Sequence, residues 1–186
     1  MRLVLLPCAL LLCLCAASTP ATASTPTSPY AGEQDRPIKA LAPERIDGLL
    51  AGKGLGYARA AELNGIPGPM HVLELADALA LTPQQRQATQ DLYDAMQVQA
   101  RALGAELVEA EAALDALFRA DAPDAAAIQA QVQAIGAIDA RLRHTHLAAH
   151  LAQKPLLTAH QIHRYAQLRG YHGQPGAHAA HGHTGH

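Results

Sequence analysis

Leu81-Thr82-Pro83-Gln84-Gln85 and Leu157-Thr158-Ala159-His160-Gln161 are one phrase, Leu-Thr-x-x-Gln, written twice in this chain. Each is a helix-start device. A threonine at the N-cap accepts a backbone N–H of the first turn, and a glutamine three residues on reaches back to the cap's own N–H. Pro83 stands at the first helical position of the first copy, where its missing N–H costs nothing. In the second copy Leu157 precedes the cap and Ile162 sits at the fourth helical position, which is the pattern of a hydrophobic staple. What lies between the two phrases decides the fold.

Between them run two helical patterns. Leu92, Met96, Leu103, Leu107, Ala110, Leu114 and Leu117 recur at spacings of three, four or seven and share one helix face. Only Gly104 interrupts residues 84–119, so one unbroken helix of roughly 55 Å is expected. Asp121-Ala122-Pro123-Asp124 ends the pattern, with Asp124 as N-cap of a return helix. That helix carries Ile128, Val132, Ile135, Asp139, Leu142, His146 and Ala149 along its stripe and stops before Pro155. So short a link makes the two helices pack antiparallel. A turn centred at 121–122 then sets His146 and His150 near Met96, Gln97 and Tyr93.

Outward from the hairpin the elements are short. A helix opening at Pro43 should stop at Gly52, another should run from Leu55 to Leu63, and a third from Met70 to Leu79 after the turn Ile66-Pro67-Gly68-Pro69. A last helix, His160 to Leu168, is closed by Gly170. No alternating strand pattern occurs, so the fold class is all-α: a long antiparallel helical hairpin flanked by short helices over residues 41–170. Residues 24–40, rich in Ser, Thr, Pro and Ala, read as a flexible leader. Residues 1–23 read as a secretory signal peptide, with an early Arg2, an apolar stretch too short to span a membrane, and small-x-small cleavage positions at Ala17 or Ala23. A periplasmic location follows. A lipoprotein is the less favoured alternative, because leucine precedes both Cys13 and Cys15. All three cysteines (Cys8, Cys13 and Cys15) lie in that segment, which removes disulfides, zinc-thiolate sites and cysteine nucleophiles from the mature chain.

Composition limits the partners. The chain is 49% hydrophobic, but much of this is alanine, which favours helix and buries little area. The core should be thin and a homodimer along the hairpin is expected. A formal charge of −2 argues against a nucleic-acid partner. Asp91, Asp94, Glu106, Glu109, Glu111 and Asp115 make the first long helix acidic outside, which reads as a solvated face.

The paired motifs at 81–85 and 157–161, flanking a long hairpin behind a signal peptide, resemble the periplasmic Spy/CpxP family, which includes zinc-resistance-associated relatives. The resemblance covers residues 65–170. It implies an antiparallel, cradle-shaped dimer of long bent helices, acting as an ATP-independent chaperone for unfolded or misfolded envelope proteins or as a metal-stress protein. This chain departs from the chaperone members in charge: it is near neutral where they resemble a strongly basic cradle.

The histidines carry the second reading, a periplasmic metal-binding resistance or sensor protein. His172, His178, His181, His183 and His186 lie in a Gly/Ala/Pro-spaced tail, residues 171–186, read as disordered. Several imidazoles there can gather around Zn, Cu or Ni, with protons competing for each ring. A solvated end without a metal is the alternative. His146 and His150, four apart on the apolar face, could form a soft-metal site with the Met96 thioether. Buried histidines hydrogen-bonded to Tyr93 or Gln97 are the stronger expectation. His160 and His163 read as partly exposed polar residues, and Met70-His71 could approach the same end of the hairpin. No nucleophile, phosphate-loop or His-Glu-x-x-His pattern is present, so the chain does not read as an enzyme and no cofactor is required.

Overall fold

The computed structural model describes residues 27–171, and its contacts divide the chain after Gly32. The segment read as a signal peptide, the start of the stretch read as a leader and the five tail histidines lie outside the described residues. From Glu33 onward the described chain is helical: α1 (Pro43–Leu50), α2 (Arg59–Leu63), α3 (Pro69–Glu74), α4 (Pro83–Phe118), α5 (Ala125–Gln153), a single 3-10 turn (Lys154–Leu156) and α6 (Ala159–Leu168). No strand occurs among the described residues, and none of the helices there is long and apolar enough to cross a membrane.

The hairpin forms for the local reasons its sequence offers. Thr82 and Thr158 each accept the N–H of the glutamine three residues on, and each glutamine Oε1 accepts the threonine N–H, so both capping boxes are complete. Asp124 starts α5, its Oδ1 accepting the Ala126 N–H at 2.8 Å. The register is pinned by Gln153 Nε2 donating to Thr89 Oγ1 at 3.1 Å and Gln131 Nε2 donating to Ala110 O at 2.8 Å. Those pairs place residue 146 opposite residue 96, as the turn position requires.

Small residues on the hairpin face let the short helices come close. Ala100 and Leu107 are buried in α4 and Leu142 in α5, with Leu49 of α1 and Tyr57 of the following loop closing over them. Gly104 is the point of closest approach: a Cβ there would overlap the carbonyl of Leu49, so α1 docks through this glycine. A second cluster, Val72, Leu79, Leu157 and Tyr165, fills the end where α3 and α6 meet the hairpin. Toward the 119–124 turn only two helices pair and the covered seam narrows. Val132, expected on the buried stripe, is therefore 51% exposed.

Three other boundaries differ from the sequence expectation. The second short helix begins at Arg59 and not Leu55, because Leu55 and Gly56 take positive φ (44° and 83°), which no helix accommodates. The third ends at Glu74 and not Leu79. Residues 75–80 unwind into turns closed by the Leu81 N–H to Ala76 O bond of 3.0 Å, with Ala80 at φ 49°, and this frees the Leu79 carbonyl for a partner across the bundle. The leader is also shorter than residues 24–40. Ile38 is its one large aliphatic side chain and is buried, and the Lys39 N–H donates to Asp115 Oδ1 at 3.1 Å.

Candidate functional site

The two Leu-Thr-x-x-Gln phrases meet. Gln85 Nε2 donates to Gln161 Oε1 at 2.9 Å and Gln161 Nε2 donates to Gln85 Oε1 at 3.0 Å, a reciprocal amide pair. The remaining N–H of each amide goes to the backbone just before the other motif, Gln85 to Leu156 O at 2.9 Å and Gln161 to Leu79 O at 3.2 Å. With Oε1 also accepting the cap N–H, both donors and both acceptor positions of each amide are used. Leu81, Thr82 and Gln85 with Leu157, Thr158 and Gln161 thus clasp the starts of α4 and α6 together. A fully satisfied network, with Gln161 buried and Gln85 half-buried, rigidifies this end, and it leaves no polar atom of either amide for a ligand.

Beside the clasp, a cavity of about 760 Å³ opens between the α1–α2 loop, α2, the start of α3, the first half of α4 and the facing last third of α5. His146, His150, Met96, Met70, Glu62 and Tyr171 all line it. His146 is 4% exposed and its ring stacks on Tyr57 with centroids 5.8 Å apart and planes 9° apart. Its Nε2 is buried without a hydrogen-bond partner. Burial pushes its pKa below the ordinary histidine value, and His150 pushes the same way, so the ring is neutral at neutral pH. His150 is held differently: Nδ1 lies 2.7 Å from Ile66 O. A carbonyl only accepts, so Nδ1 carries the proton, and Nε2 lies against Gly68, whose missing side chain makes the room.

Glu62, on α2, ties the last helix to this wall. Its Oε1 accepts from the Tyr165 hydroxyl at 2.5 Å and the Tyr171 hydroxyl at 2.9 Å, with Arg169 Nε 3.5 Å away. Its Oε2 is buried without a hydrogen-bond partner, 3.8 Å from His150 Nδ1. Burial and this carboxylate push the Tyr165 phenol far above its usual range.

The sequence placed His146, His150, Met96, Gln97 and Tyr93 together, and all five line the cavity. Their bonding corrects the expectation that the histidines would pair with Tyr93 or Gln97. The Gly52 carbonyl takes Gln97 Nε2 at 3.2 Å and Ile66 O takes His150, because the α1–α2 loop and the turn before α3 wedge in and offer free carbonyls. His71 joins the same wall, its Nδ1 2.7 Å from Glu74 Oε2, whereas His160 and His163 are exposed on α6. Glu62, Tyr57 and Tyr171 were not singled out from the sequence, and nothing in their local pattern marks them. His172, His178, His181, His183 and His186 are outside the described residues, but Tyr171, which directly precedes His172, is part of the cavity wall.

The sequence model of a family described as heavy-metal resistance matches residues 48–164, more than half of the chain. The chain belongs to the heavy-metal resistance family. That family is related to the Spy/CpxP-like helical proteins, and its matched span takes in both Leu-Thr-x-x-Gln phrases and most of the cavity wall. No curated protein and no solved structure matches the chain. Heavy-metal resistance raises the question of what could hold an ion. Among the described residues no three His, Cys, Asp or Glu side chains are gathered closely enough to do so. The donors that do fit are the orphaned His146 Nε2 and the two thioethers of the cavity, Met96 and Met70.

Proposed function

We propose that the protein is a periplasmic metal-binding resistance protein that holds heavy-metal ions in the cavity between α2, α3 and the hairpin. Ions would be gathered by the tail histidines, whose segment begins directly after Tyr171 at the cavity wall. The observation that carries this is His146 Nε2: a neutral imidazole nitrogen, buried, without a hydrogen-bond partner, inside a chain of the heavy-metal resistance family. This is a binding role and not a catalytic one. Titration calorimetry with zinc, copper and nickel tests it on the chain, on a deletion of residues 172–186 and on His146→Leu. A tail-dependent class of sites should weaken as pH falls through the histidine range, and a second class should survive the deletion and disappear with His146. A flat titration in every protein refutes the proposal.

A second reading, an ATP-independent chaperone of Spy/CpxP type that binds unfolded envelope proteins, draws on a different feature. Val98, Phe118, Val132 and Leu151 stand 72, 61, 51 and 62% exposed along α4 and α5, large apolar groups suited to an unfolded chain or to a second copy in a homodimer. Protection of an unfolded client in the presence of chelator, with residues 172–186 deleted, would support it. Continued aggregation at stoichiometric excess would remove it.

A further inference from the structure

We propose, resting on the metal-binding reading above, that the cavity selects a soft monovalent ion, Cu(I), held by His146 Nε2 together with the thioethers of Met96 and Met70. Three observations lead there.

The first is a shortage of borderline and hard donors. Zinc takes three or four N, O or S⁻ protein ligands, and thioethers are not among its usual set. Around this cavity His150 is committed at Nδ1 to Ile66 O and pressed at Nε2 against Gly68, and Glu62 Oε1 is committed to two phenols. His71, the third imidazole of the wall, is tied at Nδ1 to Glu74 Oε2, and the donors that are both buried and without a hydrogen-bond partner are one imidazole nitrogen, His146 Nε2, and one carboxylate oxygen, Glu62 Oε2. That pair falls short of zinc's requirement, in keeping with the absence of a three-residue His, Cys, Asp or Glu group among the described residues.

The second is where the sulfur sits. The chain has three methionines, and the two besides Met1 both line this one cavity. Met96 belongs to it by register, since the pairing of Gln153 with Thr89 sets residue 96 across from His146. Met70 arrives from a different element, in the first turn of α3 just beyond Gly68. Thioether ligands select Cu(I) over the divalent ions that prefer imidazole and carboxylate.

The third is the graded exposure of the donors. His146 is buried, Met96 is half-buried, and Met70 is 42% exposed at the rim. Met70 is unbranched and has three rotatable side-chain bonds, so it can turn inward without backbone movement. A methionine in an apolar cavity can also be simple filling, and leucine separates the two roles. Leucine keeps the volume and apolar character and removes the sulfur.

The test is anaerobic Cu(I) binding by competition with a chromophoric bicinchoninate complex, alongside Zn(II) titration. The full-length chain carries Cys8, Cys13 and Cys15→Ser, so that methionine supplies the only sulfur. Met70→Leu and Met96→Leu should each weaken the tightest Cu(I) site about tenfold or more, with Zn(II) affinity unchanged. Copper X-ray absorption should show a sulfur shell in the parent that is lost in the double variant, a signature that tail imidazoles cannot produce. Unchanged Cu(I) affinity and an all-nitrogen shell in the double variant would overturn the assignment. If the cavity takes up Zn(II) in a His146-dependent way but no Cu(I), the soft-ion assignment falls and the metal-binding reading stands. If neither ion binds, both fall.

Discussion

Alanine at position 104 should destabilise this protein although alanine is the better helix former, and alanine at position 136 should do the opposite. Both glycines lie inside long helices, Gly104 in α4 and Gly136 in α5. In a helix interior, Gly→Ala is worth about 0.5–1 kcal/mol of stability from backbone entropy and propensity. At Gly136 nothing lies within 4 Å of an added Cβ, so that gain should appear in full. At Gly104 the new Cβ would meet the Leu49 carbonyl oxygen, with the Leu49 carbonyl carbon 2.7 Å away. Neither atom is the end of a flexible side chain, so α1 must lift as a unit and draw Leu49, 1% exposed, out of the main cluster. Overpacking costs about 1–3 kcal/mol, and a backbone-to-backbone clash belongs in the upper half of that range. Subtracting the propensity gain leaves a net loss of about 1–2 kcal/mol for Gly104→Ala. Urea melts followed by helical circular dichroism, at one protein concentration, should separate the two variants by about 2–3 kcal/mol, since the same substitution acts with opposite sign at the two sites. If Gly104→Ala is as stabilising as Gly136→Ala, α1 does not dock through this glycine and the packing described around Leu49 is wrong.

That contrast also shows where the sequence is readable. Both long helices, their caps and their register follow from local chemistry: two threonine boxes, Asp124 and a 3.6-residue stripe fix them before any tertiary contact is known. Gly104 is visible in the sequence only as a flaw in a helix, because its reason is an atom on α1 more than fifty residues away. The amide clasp was hidden for a different reason. Each capping box looks complete by itself, yet a box uses only one acceptor position of the glutamine and neither N–H. Two amides with unspent donors, at the starts of helices that a hairpin brings together, are a signal that can be read from sequence once the accounting is done. The cavity divides along the same line. His146 and Met96 are legible because register on paired helices is arithmetic. Glu62 and Gly68 are not, because α2 and the turn before α3 reach the wall along an irregular path that depends on positive φ at Leu55 and Gly56.

The clasp makes its own prediction: Gln85→Ala and Gln161→Ala should each cost about 1–3 kcal/mol, because each strands buried groups that the amide satisfied. Since each amide is the other's partner, a double-mutant cycle should show coupling of at least about 0.5 kcal/mol, and strict additivity would mean two independent caps. The last prediction concerns alkaline pH. The Tyr57 hydroxyl accepts from Arg45 Nη2 at 2.9 Å and donates to Asp139 Oδ1 at 2.5 Å. Tyr57→Phe removes two bonds to charged groups, each worth about 1.5–3 kcal/mol at most, and should destabilise the protein near neutral pH. Burial first, then the hydrogen bond to Asp139 and its charge, push the Tyr57 pKa from 10.0 up to about 12, against the opposing pull of Arg45 and Arg143. Folding therefore favours the protonated phenol. Below pH 10 that preference is fully present. Between pH 10 and 12 the unfolded chain has released the proton while the folded one still holds it, so stability falls as pH rises through this window. Phenylalanine cannot titrate, and the other tyrosines are common to both proteins and cancel. The stability difference between wild type and Tyr57→Phe should thus shrink as pH is raised from 10 to 12. A difference that stays constant across that range would show that Tyr57 does not hold its proton against Asp139 in the folded state.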